Sequence, residues 1–221
     1  RVPVIAGTGT NNTDHVLHNT KNACEVGADA ILVVTPYYNK ATQNGLYQHF
    51  KTIADASEVP VILYNVPGRT GCGFTAATYK ELSKHPNIIG VKEASGNLEQ
   101  MEQVKALAPN NFLLVSGDDG LTVEVIKRGG VGVISVLANL YPAETAEVVN
   151  LALNGNIEEA EKKLKALDAI ISALFEEGNP VGVQSALSLK GICSNTMRLP
   201  LVSGSEALLE KMKNLIAEYE K

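Results

Sequence analysis

The chain has 221 residues and a formal net charge of −5, with 45% hydrophobic and 19% charged residues. This composition is ordinary for a globular protein, and the length allows one large domain or one domain with an appendage. The mild acidity, without any basic block, argues against a surface for nucleic acid or for an anionic membrane. The three cysteines lie far apart, which fits reduced thiols in the cytoplasm better than a disulfide framework or a zinc site.

Short apolar runs recur along the chain, and each is followed by a polar or glycine-bearing turn. Continuous apolar runs of this length are typical of buried parallel strands, and their alternation with helical patterns, as in 13–26 and 97–107, indicates βαβ units. Regular repetition favours a (β/α)8 barrel, with a six-strand doubly wound sheet as the alternative. The six runs cover residues 2–7, 30–35, 59–64, 88–93, 112–117 and 130–136.

The number of units falls short of a whole barrel. A (β/α)8 barrel needs eight units and about 250 residues, whereas six units are visible here. Because the first run, VPVIAG, begins directly after Arg1, we expect the first two units to lie upstream of this chain. Residues 1–155 are therefore predicted to form a (β/α) barrel that lacks its first two units.

The last part of the chain, residues 156–221, has a helical pattern only. Apolar residues keep helical spacing from Ile157 to a break at Asn179-Pro180, and a second helix is predicted over 181–191. A last helix begins in the segment SGSE, where Ser203 and Glu206 have capping-box spacing. We predict a helical appendage without catalytic residues, packed on the barrel or on another subunit.

Three weaker signals do not support a cofactor or metal site. The segment GTGTNN (residues 7–12) lacks the third glycine of a dinucleotide-binding fingerprint. His15 and His18 are one helical turn apart without a third ligand, so we interpret them as exposed helix residues. For Asp118 and Asp119 in SGDDG, a loop or helix-capping role is more common than a metal role. We expect no metal and no nicotinamide cofactor.

One lysine stands where a parallel barrel carries its reactive residues, at the carboxyl end of a strand. Lys92 ends the apolar run of NIIGVKEASG, so its amine is directed into a region built for aliphatic side chains. Desolvation disfavours the charged form and lowers a lysine pKa, and a neutral amine attacks a ketone to form a Schiff base. The alternative is a lysine that extends to solvent and pairs with Glu93.

The other residues at strand ends suit the same chemistry. The hydroxyls of Tyr64 and Tyr38 can carry the protons that Schiff-base formation moves. Arg69, in YNVPGRTG, offers a planar guanidinium suited to a substrate carboxylate.

Seven motifs occur along the chain in this order: GTGTNNT, VTPYYNK, GLYQHF, YNVPGRTG, GVKEASGN, SGDD and GVISV. Together they carry a resemblance to a known family that covers the whole chain. The chain closely resembles the dihydrodipicolinate synthase family of pyruvate-dependent, class I aldolase-like lyases. The resemblance implies a cytoplasmic TIM-barrel enzyme, commonly a homotetramer built from tight dimers. It implies condensation of pyruvate with L-aspartate 4-semialdehyde, in the diaminopimelate route of lysine biosynthesis. No cofactor is implied beyond the covalent pyruvate Schiff base.

The resemblance also implies a role for each matching residue. Lys92 matches the lysine that forms the Schiff base with pyruvate, and Tyr64 matches the tyrosine that donates and accepts protons beside it. Tyr38 matches a tyrosine that reaches into the site of a neighbouring subunit. Arg69 matches the arginine that holds the carboxylate of aspartate semialdehyde. Ile134, in GVISV, matches the position whose backbone carbonyl contacts pyruvate.

An inhibitory lysine site of some relatives is matched only in part. Tyr37 and Asn11 fit two of its positions, but His15 stands where those relatives have a glutamate. Because histidine offers no comparable anion to an ammonium group, we expect weak or absent inhibition by lysine.

Two other functions stay open. The family's GTTGE loop, whose threonines bind the pyruvate carboxylate, is not found in this sequence, so a non-catalytic fragment is one alternative. The other is a sibling pyruvate-dependent lyase, such as N-acetylneuraminate lyase or a keto-deoxy sugar-acid aldolase. Arg69 discriminates against these siblings, because a sugar-acid site would need hydroxyl-binding groups in that loop.

Overall fold

Strands alternate with helices up to β6, and only helical elements follow in the computed structural model, which describes residues 1–221. The strands are β1 (Ile5–Gly7), β2 (Ala30–Val34), β3 (Val61–Asn65), β4 (Ile88–Glu93), β5 (Leu113–Ser116) and β6 (Gly132–Val133). The helices are α1 (Thr13–Glu25), α2 (Gln43–Ala56), α3 (Pro67–Thr70), α4 (Ala76–Leu82), α5 (Leu98–Leu107), α6 (Thr122–Lys127), α7 (Pro142–Leu153), α8 (Ile157–Ala166), α9 (Asp168–Glu176), α10 (Val181–Leu189) and α11 (Glu206–Tyr219).

The six strands form one sheet in sequence order, β1-β2-β3-β4-β5-β6. Each of the first four pairs with the next in parallel. A doubly wound sheet would reverse its strand order at a switch point, so that alternative is wrong and the prediction of consecutive βα units is confirmed. Five of the six strands lie inside the predicted apolar runs, and β3 extends one residue beyond its run, to Asn65. β1 and β6 are much shorter than their runs.

Side chains of the central strands alternate between two faces of the sheet, as the pleat requires. Ile31, Val33 and Leu63 are fully buried on one face. Half-exposed residues, among them Leu32 and Val34, occupy the other face. Polar groups at the strand ends therefore differ in environment according to the face on which they lie.

Polar N-caps fix where several helices of the first part begin. The Asn12 side chain accepts a hydrogen bond from the backbone N–H of His15 at 3.1 Å, and α1 begins at the next residue. Asn97 caps α5 in the same way, through the backbone N–H of Gln100 at 3.0 Å. Such caps satisfy backbone donors that have no partner inside the helix. The helices predicted over 13–26 and 97–107 are confirmed within one residue.

The C-terminal region departs from the predicted pattern in one place. The apolar spacing from Ile157 suggested one helix, but the structure has two, α8 and α9, which meet at Leu167. The backbone N–H of Leu167 donates to the Leu164 carbonyl, and the Leu167 carbonyl accepts from Ile171. Because the buried positions continue across this turn, their periodicity does not reveal it.

The start of the last helix also needs a correction. The N-cap of α11 is Ser205, whose hydroxyl accepts a hydrogen bond from the backbone N–H of Leu208 at 3.1 Å. The Ser203 hydroxyl donates to the Asn195 carbonyl instead, so the predicted capping box of Ser203 and Glu206 is wrong. Two serines stand in SGSE, and Glu206 is already the first residue of the helix.

The chain divides into two compact units, which are described separately. One comprises residues 1–117 with 128–132, and the other comprises 118–127 with 133–221. The second has a core of its own in which Leu137, Leu167 and Met212 are almost fully buried. The functional boundary between barrel and appendage at residue 155 stays a prediction. No helix has the length and apolar character needed to cross a membrane.

His49, on α2, is a buried histidine of the first unit. Its side chain is 7% exposed, and Nδ1 lies 2.8 Å from the Thr13 hydroxyl. Its other ring nitrogen, Nε2, is buried and has no hydrogen-bond partner. The ring also packs edge-on against Phe50, with centroids 5.0 Å apart. Burial lowers the pKa of His49 from 6.5 to about 4, so the imidazole is neutral near pH 7.

This pKa shift predicts an acid-sensitive fold. The unfolded chain binds a proton at His49 below pH 6.5, whereas the folded chain binds it only near pH 4. The stabilisation is complete above pH 6.5 and is lost between the two values, which lowers the free energy of unfolding by roughly 2 to 3 kcal/mol. Urea unfolding at a series of pH values measures this loss. His49→Gln should flatten the pH dependence, and His18→Gln, at an exposed position, should leave it unchanged. An equal pH slope for His49→Gln and the wild type would contradict this assignment.

Candidate active site

Lys92 and Tyr64 face each other across two neighbouring strands. Tyr64 of β3 is the register partner of Lys92 of β4, and both side chains are half-buried on the same face of the sheet. The Lys92 Nζ lies 4.1 Å from the centroid of the Tyr64 ring, which is within the range of a cation–π contact. The structure therefore brings together the amine and the phenol that the sequence singled out.

Glu93 does not form the solvent-exposed ion pair with Lys92 that was the alternative for this lysine. Its side chain is 0% exposed, because it lies on the opposite face of β4. The carboxylate accepts hydrogen bonds from Asn65 Nδ2 at 2.9 and 3.1 Å, from the Tyr79 hydroxyl at 2.6 Å and from the Ser95 backbone N–H at 2.8 Å. These interactions were not predicted from the sequence.

A cavity of about 390 Å³ opens on the face that carries Tyr64. Its volume lies in the range of small-molecule sites. Its lining includes the phenols of Tyr64 and Tyr37 and the guanidinium of Arg69, and Tyr37 is 42% exposed. The rest of the lining is glycine, aliphatic side chains and one threonine: Gly7, Gly9, Leu32, Val34, Val66 and Thr70.

The electrostatics of Tyr64 suit a proton donor. Partial burial raises the pKa of the Tyr64 hydroxyl, and the positive charge of Arg69 opposes that rise. The hydroxyl is therefore protonated at neutral pH, and the guanidinium beside it favours the phenolate that forms when the proton leaves.

Arg69 is held by a one-turn helix, α3, directly after β3. Pro67 is compatible with the first helical turn, and Gly71 ends the helix with a left-handed φ of 74°. Beneath the turn, the Thr35 hydroxyl donates to the Thr70 hydroxyl at 3.0 Å, which donates to the Cys72 carbonyl at 2.7 Å. This buried hydroxyl pair explains why a polar TG sequence follows Arg69.

Tyr38 is not brought to Lys92 within this chain. Its side chain is 89% exposed, its backbone has a φ of 74°, and it is not among the cavity-lining residues. Its backbone N–H donates to the Thr70 carbonyl at 3.3 Å, so the turn that presents it is fixed from below. The role of Tyr38 in a neighbouring subunit stays a prediction.

Ile134 lies in the second unit, in a loop that Asp119 holds. The Asp119 carboxylate accepts from the Ser135 hydroxyl and from the backbone N–H groups of Val136 at 3.0 Å and Leu137 at 3.1 Å. Asp119 therefore holds this loop, and Asp118 caps the 3₁₀ turn Asp119–Leu121 by accepting from the Gly120 backbone N–H at 2.9 Å. The loop or capping interpretation of the two aspartates is confirmed.

Two of the three residues matched to an inhibitory lysine site, Asn11 and Tyr37, are linked through hydrogen bonds of Asn39. The Asn39 side chain donates to the Asn11 carbonyl at 3.0 Å, and its backbone N–H donates to the Tyr37 carbonyl at 3.0 Å. His15 is exposed in the first turn of α1, as predicted.

Comparison with known proteins places this geometry in a family. The model of the Dihydrodipicolinate synthetase family matches residues 1–219. The 4-hydroxy-tetrahydrodipicolinate synthase of Geobacter sp. (strain M21) is 48% identical over 220 residues, which are 100% of this chain and 76% of the relative.

Solved structures give the same result. The dihydrodipicolinate synthase of Thermotoga maritima matches with a TM-score of 0.97 and 40% identity, over 99% of this chain and 76% of that one. The Acinetobacter baumannii enzyme, crystallised in complex with pyruvate, matches with a TM-score of 0.96 and 40% identity, over 100% of this chain and 76% of that one. The fold is that of a (β/α)8 barrel, represented by six βα units and followed by C-terminal helices, as predicted.

Gly117→Ala should displace Lys92. A Cβ at Gly117 would lie 2.7 Å from the Ala94 Cβ and 3.0 Å from the Lys92 Cε, closer than side-chain carbons pack. The amine would move off Tyr64. We expect the rate of pyruvate addition to Lys92, the reaction predicted from the sequence, to fall roughly tenfold or more. Borohydride trapping with peptide mass spectrometry measures this rate. Gly68→Ala, where a Cβ meets no atom within 4 Å, is the matched control. A wild-type rate in Gly117→Ala would contradict the described placement of Lys92.

Proposed function

This chain belongs to the dihydrodipicolinate synthetase family, and we propose that it acts as a lyase in which Lys92 forms an imine with pyruvate. The proposed second substrate is L-aspartate 4-semialdehyde. The proposed product is 4-hydroxy-tetrahydrodipicolinate, the compound in the name of the curated relatives. One observation carries the proposal: the Lys92 amine lies 4.1 Å from the ring of Tyr64. Tyr64 in turn lines a small cavity with Arg69.

Lys92 and Tyr64 can together perform the proton and bond changes of this reaction. The lone pair of the Lys92 amine attacks C2 of pyruvate, and the resulting carbinolamine loses its hydroxyl as water. The Tyr64 hydroxyl donates the proton that this departing hydroxyl needs. The Tyr64 phenolate left by this transfer takes a proton from C3, which converts the protonated imine to an enamine. The C3 of the enamine then attacks the aldehyde carbon of the second substrate, whose oxygen takes the proton back from Tyr64, and an imine on Lys92 forms again. The amino group of the second substrate attacks C2 of this imine, and the Lys92 amine leaves as the cyclic product is released.

Arg69 is proposed to hold the carboxylate of that second substrate. Its guanidinium is exposed at the cavity, directly after the strand that carries Tyr64. A planar fork of N–H donors binds a carboxylate through charge-assisted hydrogen bonds. Ile134 is proposed to direct its backbone carbonyl to pyruvate. Neither role requires a cofactor or a metal.

The assembly is proposed to be a cytoplasmic homotetramer built from tight dimers. The exposure of Tyr38 supports this proposal, since a phenol ring without packing in its own chain is available to a neighbouring subunit. In that arrangement Tyr38 would complete the proton relay of the partner's site.

Lys92 should be the residue that pyruvate modifies. Incubation with pyruvate and borohydride should add a reduced three-carbon group to Lys92, which peptide mass spectrometry locates. Lys92→Ala should abolish the modification and nearly all turnover, because no other amine lies at that strand end. Lys105→Ala, which removes a half-buried lysine from α5, is the matched control and should keep the modification. A reduced adduct on a different lysine of the wild type would refute the assignment.

Arg69→Ala should affect the two substrates unequally. Loss of the guanidinium removes the proposed carboxylate partner of the aldehyde, so its KM should rise roughly tenfold to hundredfold. The KM for pyruvate should change much less. Steady-state kinetics with each substrate varied in turn tests this difference, with the exposed Arg198→Ala as the control. Equal increases for both substrates would indicate a general structural role for Arg69.

Free lysine should inhibit weakly or not at all. The position of His15 lacks the carboxylate that would pair with the ligand's ammonium group. Isothermal calorimetry with lysine measures binding directly, and His15→Glu should increase the affinity. Inhibition of the wild type at low micromolar lysine would overturn this proposal.

A further inference from the structure

A buried polar cluster lies on the opposite face of the sheet from Lys92 and Tyr64. Asn65 directly follows Tyr64 on β3, and Glu93 directly follows Lys92 on β4. The two are register partners, one step beyond the pair of Tyr64 and Lys92. The cluster therefore belongs to the same strand ends as the proposed reactive groups, although its side chains point away from the cavity.

Every hydrogen bond described for the Glu93 carboxylate comes from a donor held in place by other contacts. The Asn65 amide donates to both oxygens, and the Asn65 oxygen accepts from the Phe74 backbone N–H at 3.4 Å. The Tyr79 hydroxyl, from α4, donates at 2.6 Å. Burial, and with it the Glu93 charge, raises the pKa of Tyr79 well above its ordinary value, so Tyr79 remains a donor. All three side chains are almost completely buried.

Packing alone does not account for a charge in this position. Replacing a buried ionic cluster by apolar side chains of similar volume often leaves the stability of a fold unchanged or increases it. A contribution to stability therefore does not explain why a carboxylate is buried here. A carboxylate bound through both oxygens by Asn65, however, permits one register only. A shift of one residue would turn Lys92 into the buried layer and Glu93 toward the cavity. The cluster thus specifies which side chains face the cavity.

We propose that Glu93, Asn65 and Tyr79 are positioning residues that hold the Lys92 amine against the Tyr64 ring. The positions of their hydrogen bonds carry this inference, and it rests on the proposed imine chemistry of Lys92. The cluster does not touch the substrate. It acts by fixing the ends of β3 and β4, and the Ser95 N–H bond to Glu93 extends this restraint to the second residue after β4.

Tyr79→Phe is the mildest test, because it removes one hydroxyl and keeps the ring that packs against Phe74, with centroids 4.8 Å apart. We expect the maximal rate constant of the pyruvate adduct on Lys92 to fall about tenfold. The pyruvate concentration at half-maximal rate should stay within about twofold, since the cavity is unchanged. Tyr141→Phe is the matched control. It removes a buried tyrosine hydroxyl bound to Glu220 at 2.9 Å in the second unit, and it should leave the adduct rate unchanged.

A charge exchange separates positioning from loss of stability. Glu93→Gln presents an amide donor to other donors, and we expect a larger fall in the adduct rate, about a hundredfold. Adding Asn65→Asp returns an acceptor opposite the new amide and keeps one buried carboxylate, so the double variant should recover most of the rate. Thermal unfolding of each variant shows that folded protein is compared.

The outcomes distinguish this inference from the proposed function. The positioning role is supported if the adduct rate on Lys92 falls in Tyr79→Phe, stays unchanged in Tyr141→Phe, and recovers when Asn65→Asp is added to Glu93→Gln. A wild-type adduct on Lys92 together with equal rates for Tyr79→Phe and Tyr141→Phe overturns positioning alone. A wild-type protein without any adduct on Lys92 overturns the proposed function and the positioning role with it.

Discussion

The register between β3 and β4 is the constraint on which the candidate site depends. It places Tyr64 opposite Lys92 on one face and Asn65 opposite Glu93 on the other. Because the side-chain period of a strand is two, a shift of one residue would exchange these faces and remove the amine from the face that carries Tyr64. The hydrogen bonds between Asn65 and Glu93 oppose that shift at the strand ends, directly next to Tyr64 and Lys92.

The two faces of the sheet have different roles in the site. The half-exposed face carries groups that must react or bind: an amine, a protonated phenol and, on α3, a guanidinium. The buried face carries groups that hold these in place. Since β3 leads directly into α3, Tyr64 and Arg69 belong to one short segment, and a proton donor and an anion-binding group enter the same cavity. Such proximity gives positioned groups much of their catalytic advantage.

The reactive groups could be predicted from the sequence because they break its apolar pattern. The supporting groups could not be predicted, since they resemble the polar residues found at the ends of most strands. Lys92 ends a continuous apolar run, a position at which a charged side chain is conspicuous in the sequence. Asn65 and Glu93 are the last residues of their strands, where solvent-exposed polar residues are also common. Only the structure shows that Tyr79 donates a hydrogen bond to Glu93 there. Likewise the break at Leu167 lies within unbroken apolar spacing, and the exposure of Tyr38 depends on a turn with positive φ. Periodicity reports burial, whereas these features depend on individual hydrogen bonds and backbone angles.

The most direct measurement is a crystal structure of the protein after treatment with pyruvate and borohydride. It should show a 1-carboxyethyl group on the Lys92 Nζ, bonded through the former C2 of pyruvate and placed beside the Tyr64 hydroxyl. The Glu93 carboxylate should still accept hydrogen bonds from Asn65 and Tyr79 on the far side of the sheet. A modified lysine elsewhere, or an unmodified Lys92 with its side chain turned away from Tyr64, would contradict the assignment of this lysine as the reactive amine.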